Sequence, residues 1–338
     1  MHMRPRFSVI VPLYNKAPYV KKALESVFSQ TYIDYEVIVV DDGSTDNSAD
    51  IVRELVNGKW KLVNDQFRLI SQSNAGVAAA RNNGVAKSMG EYVCFLDADD
   101  WWEANFLEEM VRLIKEYPDA GLYATNYVYY KPGKTRVALN LNRGYMDYPD
   151  AYLHSEMMPV TSITTCMPRK VFDEMGGFPV GIKLGEDFLL WAKTALHYKV
   201  TFCEKPLAYY NNDVPASLRA TRNLHEPKYH MLFHLDQIEH IINDQLPMTK
   251  TELIAPLRQR NDQSAAWHAL LDKLRISGLM DYWLSDEYHA AAAAELVKID
   301  WSKQPQRAKA QYEEPIWLLK AKRHFMQVGS YCKQILIR

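Results

Sequence analysis

Two aspartates separated by one residue, Asp97 and Asp99, directly follow an apolar stretch and are the first candidates for chemistry in this sequence. Carboxylates at positions i and i+2 converge on one ligand when the backbone turns, and Mg²⁺ or Mn²⁺ prefers such oxygen ligands. Such an ion keeps some of its waters and bridges substrate phosphates, so one or two protein carboxylates suffice. The alternative is a turn that caps a helix beginning near Glu103. The apolar strand before the pair and Asp100-Trp101-Trp102 after it favour the metal site.

A second acidic pair, Asp41-Asp42, ends another apolar stretch and precedes Gly43. This arrangement suits a nucleoside, because a carboxylate accepts hydrogen bonds from a ribose hydroxyl or a pyrimidine N–H. The alternative is a tight turn with a helix cap. That alternative explains Ser44 or Asp46, but it does not require both carboxylates of the pair.

Three further charged candidates lie on predicted helices. Arg81 could point toward the edge of the sheet and pair with a diphosphate, although spacing alone favours a solvent-exposed arginine. Glu186 and Asp187 begin a helix after Gly185, where the helix dipole already favours carboxylates. The functional interpretation of this pair is a general base that removes a proton from an incoming hydroxyl. Spacing leaves both interpretations open.

Strands and helices alternate in the first half of the chain and must position these residues. Apolar runs predict strands over 7–13, 35–40, 67–71, 91–96 and 121–129. Repeated strand–helix units indicate a doubly wound, mostly parallel sheet with right-handed crossovers. In such sheets ligands bind at the carboxyl ends of strands, near a change of strand order. Because Tyr14-Asn15, Asp41-Asp42 and 97–100 each follow a strand, we expect three polar strand ends at one edge.

The later part of the chain is less regular and then becomes helical. Helical spacing predicts helices over 229–242, 251–276 and 287–297. We therefore place a boundary near 225, between a domain over 1–225 and a helical region over 226–338. The domain would divide into a nucleotide-binding half, about 1–130, and an acceptor half, about 131–225.

The final segment, 315–338, contains five Lys or Arg residues and no Asp or Glu. A basic amphipathic helix of this kind can lie on an anionic membrane surface. The alternative, which we favour, is a helix that packs on the body of the protein with a solvated basic face.

Bulk composition excludes some classes of protein. With 40 basic and 41 acidic residues among 338, the net charge of -1 argues against a nucleic-acid binder. The four cysteines lack metal-site spacing and are expected to be buried free thiols. The sequence contains neither a secretory signal nor an apolar stretch long enough to span a bilayer. We therefore predict a cytoplasmic protein, with peripheral contact at the inner face of the membrane through 315–338 as the alternative.

The ordered motifs resemble the family-2 class of inverting glycosyltransferases, which have the GT-A fold. The matching segments, in the order of that family, are 8–15, 40–46, 74–82, 95–100 and 176–187. The resemblance covers about residues 6–212. Two features depart from it. No Gln-x-x-Arg-Trp motif follows Glu186-Asp187, which together with the lack of a transmembrane span argues against a processive synthase, and Asn211-Asn212-Asp213 stands where many relatives carry Arg-x-His.

The resemblance implies roles for individual residues. One group would bind the nucleotide-sugar: Pro12, Tyr14, Asn15, Asp42, Arg81, Asp97 and Ala98. Within this group Asp42 would bind the uracil or ribose, Arg81 would face the base or phosphate, and Asp97 would hold the ribose or sugar. Asp99 would contact Mn²⁺ or Mg²⁺, and Asp187 would be the catalytic base. The acceptor side is assigned to Glu186, Trp101 and Trp191.

The resulting prediction is a metal-assisted, inverting transfer of sugar from a UDP-sugar to a hydroxyl of a glycan or lipid-linked acceptor, as in polysaccharide biosynthesis. One alternative is a nucleotidyltransferase, which shares the sheet and an acidic metal loop. That class usually has a Gly-rich, basic triphosphate loop after the first strand, and residues 12–16 do not form one. The other alternative is a non-catalytic protein that binds a sugar or a partner on the same fold.

Overall fold

The computed structural model describes residues 5–57, 66–218, 225–244, 257–316 and 319–320. Four strands form its first half: β1 (Phe7–Leu13), β2 (Tyr35–Asp41), β3 (Phe67–Ser71) and β4 (Tyr92–Phe95). They are parallel and lie in the order β3-β2-β1-β4. Every residue of β1 and β2 is buried, as expected for central strands that are covered on both faces.

Three helices connect these strands: α1 (Val20–Phe28), α2 (Ser48–Asn57) and α3 (Val77–Lys87). The buried residues of α1 recur at helical spacing, so one apolar stripe faces the sheet. Gly84 of α3 lies so close to β1 that a Cβ there would stand 2.5 Å from Ile10 Cγ2. This close approach brings α3, and with it Arg81, directly onto the sheet.

The second half of the sheet is mixed. Its elements are β5 (Trp101–Trp102), α4 (Phe106–Glu116), β6 (Ala120–Tyr130), β7 (Arg136–Val137), β8 (Gly144–Met146), α5 (Tyr148–His154), β9 (Thr165–Pro168), α6 (Arg169–Met175), α7 (Glu186–His197) and β10 (Lys199–Asn211). The sheet continues as β4-β9-β6-β10-β5, with β9 antiparallel to both neighbours. Parallel pairing therefore dominates only the first half, because the excursion over 131–164 returns the chain in the opposite direction.

The strands β1 and β4 stop pairing before the carboxyl end of β1, and we call the gap between the ends of these two strands the crevice. Pairing of β1 with β4 stops at Ile10 and Phe95, whereas pairing of β1 with β2 continues to Leu13 and Asp41. Pro12 lies in the strand beyond this point and has no N–H to donate to a neighbour. Strand order also changes direction here, since β2 and β3 lie on one side of β1 and β4 on the other. This is where the fold class predicts a ligand.

Helices follow the sheet, as predicted: α8 (Asp236–Asn243), α9 (Leu257–Gly278), α10 (Met280–Trp283), α11 (His289–Leu296) and α12 (Gln306–Glu313). The predicted helix over 229–242 is wrong in its first half, which forms short 3-10 turns. The carbonyl of Tyr229 accepts from Lys183 N at 2.7 Å, and Met231 N donates to Leu184 O at 3.0 Å. These backbone groups are therefore used by the loop that precedes α7.

Several predictions concern residues that the structure describes only in part. Most of the basic segment 315–338, with Cys332, and the start of the helix predicted over 251–276 lie outside the described residues. The other three cysteines are buried free thiols, as predicted: Cys94, Cys166 and Cys203. Among the described helices, none combines the length and the apolar character that crossing a membrane requires.

A buried arginine joins three of the later helices. Arg275 on α9 is 1% exposed and donates to Asp236 and Glu239 of α8 and to Glu295 of α11. Glu295 is itself buried, and it also accepts from Lys298 Nζ at 2.7 Å, so two cations balance its charge. Nearby, a Cβ on Gly278 would stand 2.5 Å from Leu232 Cδ1, so the helices also fit closely.

We expect Arg275→Met to lower the free energy of unfolding by about 3 kcal/mol, because it removes the buried cation that Asp236, Glu239 and Glu295 share. Urea denaturation followed by circular dichroism measures this. Arg307→Met, at an exposed position on α12, is the control and should change stability by less than about 0.5 kcal/mol. Equal effects of the two substitutions would contradict the role of Arg275.

Candidate active site

Arg81 links the two acidic parts of the candidate site. Its guanidinium donates through Nη2 to Asp97 Oδ1 at 2.6 Å and through Nη1 to Glu186 Oε1 at 2.7 Å. The residue is 3% exposed, and its charged group lies over the ring of Phe178. The expectation from spacing, a solvent-exposed arginine, is therefore wrong. In this arrangement the guanidinium is committed to two carboxylates rather than turned toward a diphosphate.

Burial and charge shift the pKa values in this cluster. Burial raises the pKa of Glu186 to about 7; the neighbouring Asp187 adds to the rise and Arg81 opposes it. Burial also raises the pKa of Asp187, again against the effect of Arg81. For Arg81, burial acts to lower the pKa, but the surrounding carboxylates outweigh it and the pKa is raised. The arginine therefore stays charged, and the two carboxyls hold protons more strongly than usual.

Asp187 stands in the first turn of α7, beside the Arg81 cluster. Gly185 before the helix adopts φ +82°, and a Cβ there would stand 2.3 Å from Met231 Sδ. The chain thus turns tightly against the later segment before α7 begins. The Asp187 carboxylate accepts from Phe188 N at 2.8 Å, and Ser162 Oγ lies 3.4 Å from Oδ2. A partly buried carboxylate with a raised pKa has the chemistry of a general base.

Asp99 is paired with a residue that the sequence did not single out. Lys16 Nζ donates to Asp99 Oδ2 at 2.6 Å and to Leu218 O at 2.8 Å. Burial raises the pKa of Asp99, while Lys16 acts to lower it. One signal could have found Lys16: it follows the end of β1 closely, and the carboxyl ends of β1 and β4 share one edge.

The donor set at this edge suits a divalent cation. Asp97 and Asp99 both follow β4. The carboxylate of Asp99 already binds a positively charged group, the Lys16 ammonium, at the position that a metal ion would take. Two carboxylates are enough for an ion that completes its shell with water and phosphate oxygens. The described residues contain no cluster of three or more His, Cys, Asp or Glu side chains that could hold a metal without such partners.

The loops after β1 and β2 hold each other through Asn15. Asn15 has φ +51°, and its Oδ1 accepts from Thr45 N at 2.8 Å and from Asp46 N at 3.3 Å. Tyr14 beside it is 46% exposed, so its ring is available to a ligand. Pro12 is buried within β1. Of these three predicted nucleotide-binding residues, only Tyr14 presents a free side chain.

The two residues of the pair Asp41-Asp42 have different roles: Asp41 closes the predicted turn, and Asp42 lies at the candidate site. Asp41 Oδ1 accepts from Ser44 N at 3.0 Å, which closes the tight turn. Asp42 accepts from Gln72 Nε2, Ala75 N and Gly76 N, each at 2.8 Å. Asp42 thereby fixes the turn before α3 and lies at the same sheet edge as the rest of the candidate site.

A family model described as Glycosyl transferase family 2 matches residues 8–176, half of the chain. The chain belongs to this family. Within it, GlyA of Streptococcus pneumoniae, a glycosyltransferase, is 33% identical over 218 residues, or 61% of this chain and 30% of that protein. GlyG of the same organism is 36% identical over 129 residues, or 38% of this chain and 41% of that protein. The chain thus spans less than half the length of either relative.

Two solved structures show the fold of the family-2 chain. TarS 1-349 of S. aureus, in complex with UDP-GlcNAc, has a TM-score of 0.69 at 20% identity and covers 95% of this chain and 88% of its own. The mannosyltransferase PcManGT of Pyrobaculum calidifontis, in complex with GDP-Man and Mn²⁺, has a TM-score of 0.52 at 21% identity, with coverage of 90% and 89%. The predicted GT-A fold and the predicted family are both confirmed.

Two predicted acceptor residues do not offer a free surface in this family-2 chain. Trp191 is fully buried against Phe95 and Phe178, so it belongs to the core and we leave it out of the proposed site. The ring of Trp101 stacks on Tyr209 with centroids 5.0 Å apart, and Lys22 Nζ lies 3.0 Å from its centroid. Its faces are therefore already engaged.

Two residues beside the metal candidate also have structural tasks. Ala98 is 2% exposed, so its methyl group packs in the core, and only the carboxylates on either side face the site. For Asp100 the sequence predicts a helix cap and a local turn, and Asp100 N does donate to Asp97 O at 3.0 Å, but the side chain does not cap the helix. Instead its Oδ1 accepts from Asn211 N at 2.7 Å, which ties the loop after β4 to the end of β10. Burial, with Asp99 and Asp97, raises the pKa of Asp100 well above its ordinary value.

The raised pKa of Glu186 predicts a pH-dependent stability. The folded chain keeps a proton on this carboxyl up to pH about 7, whereas the unfolded chain releases it near 4.5. Ionisation therefore costs folding free energy as the pH rises through this window. Relative to Glu186→Gln, the wild-type chain should lose on the order of 1–3 kcal/mol of unfolding free energy between pH 5 and pH 8. Urea denaturation at each pH tests this; a pH-independent difference between the two would refute it.

Proposed function

We propose that this chain is an inverting glycosyltransferase that moves a sugar from a UDP-sugar to a hydroxyl of a glycan or lipid-linked acceptor. One observation carries the proposal: Arg81 joins Asp97, at the end of β4, to Glu186 and so holds Asp187 beside the same crevice. Arg81 thereby links the carboxylate that would bind the sugar donor to the residue next to the candidate base. Family-2 membership supports the assignment of the reaction class.

In this mechanism Asp187 accepts the proton of the acceptor hydroxyl. The hydroxyl oxygen forms a bond to the anomeric carbon while the bond from that carbon to the β-phosphate oxygen breaks. UDP leaves with the bonding electron pair, and attack from the opposite face inverts the anomeric centre. The raised pKa of Asp187 brings its basicity closer to neutral pH, which favours proton transfer in the transition state.

The positioning groups act before the proton moves. Arg81 fixes Asp97 and Glu186 at charge-assisted distances of 2.6 and 2.7 Å, so the start of α7 cannot drift away from the end of β4. Such orientation matters because small displacements of a reacting group cost large factors in rate. Glu186 therefore serves as a positioning residue through Arg81 rather than as an acceptor contact.

For the donor, Tyr14 offers an exposed ring for stacking on a base, and Asp42 lies beside the same crevice. The complex of the TarS neighbour with UDP-GlcNAc supports a UDP-linked donor. Asp99, with Asp97 beside it, would hold Mn²⁺ or Mg²⁺, which when bound neutralises charge on the departing diphosphate. The Mn²⁺ in the PcManGT neighbour supports this choice of ion.

We expect Asp187→Asn to lower the rate of sugar transfer at least about 100-fold, because the amide cannot accept the proton. The affinity for UDP should stay within about twofold, since the amide keeps the shape of the side chain. A panel of UDP-sugars incubated with Mn²⁺ identifies the donor by slow hydrolysis, and the variant is then compared on that donor. Asp173→Asn, at an exposed position on α6, is the matched control. Full activity of Asp187→Asn would exclude this residue as the base.

An assay with a nucleoside triphosphate and a sugar phosphate, run beside the panel of UDP-sugars, separates the alternative functions. A nucleotidyltransferase would release pyrophosphate from a nucleoside triphosphate and a sugar phosphate. A non-catalytic protein would bind a ligand without releasing UDP.

We expect Asp99→Ala to weaken Mn²⁺-dependent UDP binding by about tenfold or more, because it removes the carboxylate assigned to the ion. Titration calorimetry with UDP, with and without Mn²⁺, measures this effect. The control is Asp34→Ala, at an exposed position. Equal UDP affinity with and without Mn²⁺, in wild type and Asp99→Ala alike, would contradict the metal assignment.

A further inference from the structure

Lys16 forms an ion pair with Asp99, the carboxylate that is assigned to the metal. Its ammonium lies 2.6 Å from Asp99 Oδ2, and both side chains are largely buried, with 16% and 17% exposed. The second acceptor is the neutral carbonyl of Leu218 at 2.8 Å. The buried charge of Lys16 is therefore balanced by Asp99, and a divalent cation at Asp99 would stand against a like charge.

The backbone at Lys16 is held firmly while its side chain is long. Lys16 N donates to Ser48 Oγ at 2.9 Å, and the preceding Asn15 is fixed by its bonds to the loop after β2. The four-carbon stem of a lysine can nevertheless carry its ammonium several ångströms. The group can therefore leave Asp99 without any movement of the loop. It would stay at the sheet edge where the crevice opens.

We propose that Lys16 and the divalent ion exchange at Asp99, and that the displaced ammonium binds the diphosphate of the donor. This inference rests on the proposed metal and nucleotide-sugar. The ion alone must displace Lys16 without any anion to receive it, so Lys16 opposes binding of the free ion. The ion together with UDP supplies that anion, so Lys16 favours binding of the complex. Lys16 thus couples the binding of the metal to that of the nucleotide.

The test is to measure Mn²⁺ alone, and then UDP at saturating Mn²⁺, against wild type and Lys16→Met by titration calorimetry. In Lys16→Met we expect Mn²⁺ alone to bind about tenfold more tightly and UDP with Mn²⁺ to bind about tenfold more weakly. These opposite changes distinguish exchange from a general loss of structure, which would weaken both. Lys21→Met, at an exposed position on α1, is the matched control and should leave both affinities unchanged.

Lys16→Gln provides a second variant, because its amide can still donate to Asp99 but carries no charge. It should reproduce both changes even if Lys16→Met folds poorly. If wild type binds Mn²⁺ and UDP but the Lys16 variants bind both as wild type does, the exchange is refuted and the proposed function stands. If neither Mn²⁺ nor UDP binds to wild type, the proposed function and the exchange both fail.

Discussion

The buried guanidinium of Arg81 is the interaction on which the rest of the site depends. A cation that is 3% exposed needs buried acceptors around it, and Asp97 and Glu186 supply carboxyl oxygens at 2.6 and 2.7 Å. Because one planar group bonds to both, the end of β4 and the start of α7 have a fixed separation. The crevice and the candidate base are consequently linked through one side chain.

The neighbouring residue of α3 reinforces this constraint. Asn82 Nδ2 donates to Phe178 O at 2.8 Å, and Phe178 N donates to Asn82 Oδ1 at 2.9 Å. Gly177, which precedes Phe178, adopts φ +72°, and a Cβ on this glycine would stand 2.8 Å from Asn82 Oδ1. One helix thus holds both the charged end of α7, through Arg81, and the loop that leads to it. This explains the Gly-Gly-Phe segment at 176–178 as a backbone contact rather than a ligand contact.

Local sequence patterns predicted much of the fold, but they could not predict which side chains meet across long distances in the sequence. The strand ends and the acidic motifs follow from runs of apolar residues, so three polar strand ends were expected at one edge and lie there. Glu186 meets Arg81 from 105 residues away and Lys16 meets Asp99 from 83 residues away, and periodicity carries no information about such pairs. The prediction of a helix over 229–242 was wrong in its first half because of another long-range contact: the first backbone groups of this segment hydrogen-bond to the loop before α7.

The balance of charge at this edge bears on which form of the donor could bind. Among the described residues, five carboxyls, those of Asp97, Asp99, Asp100, Glu186 and Asp187, face two cations, Arg81 and Lys16. Raised pKa values reduce the negative charge at Asp100 and Glu186 but leave no excess of positive charge. A nucleoside diphosphate that approached alone would meet like charge in a poorly screened crevice. Among these described groups, a donor that brings a cation or releases one would restore the balance of charge. Both alternatives involve Asp99: an incoming metal ion would bind there, and the Lys16 ammonium that it would release is bound there now.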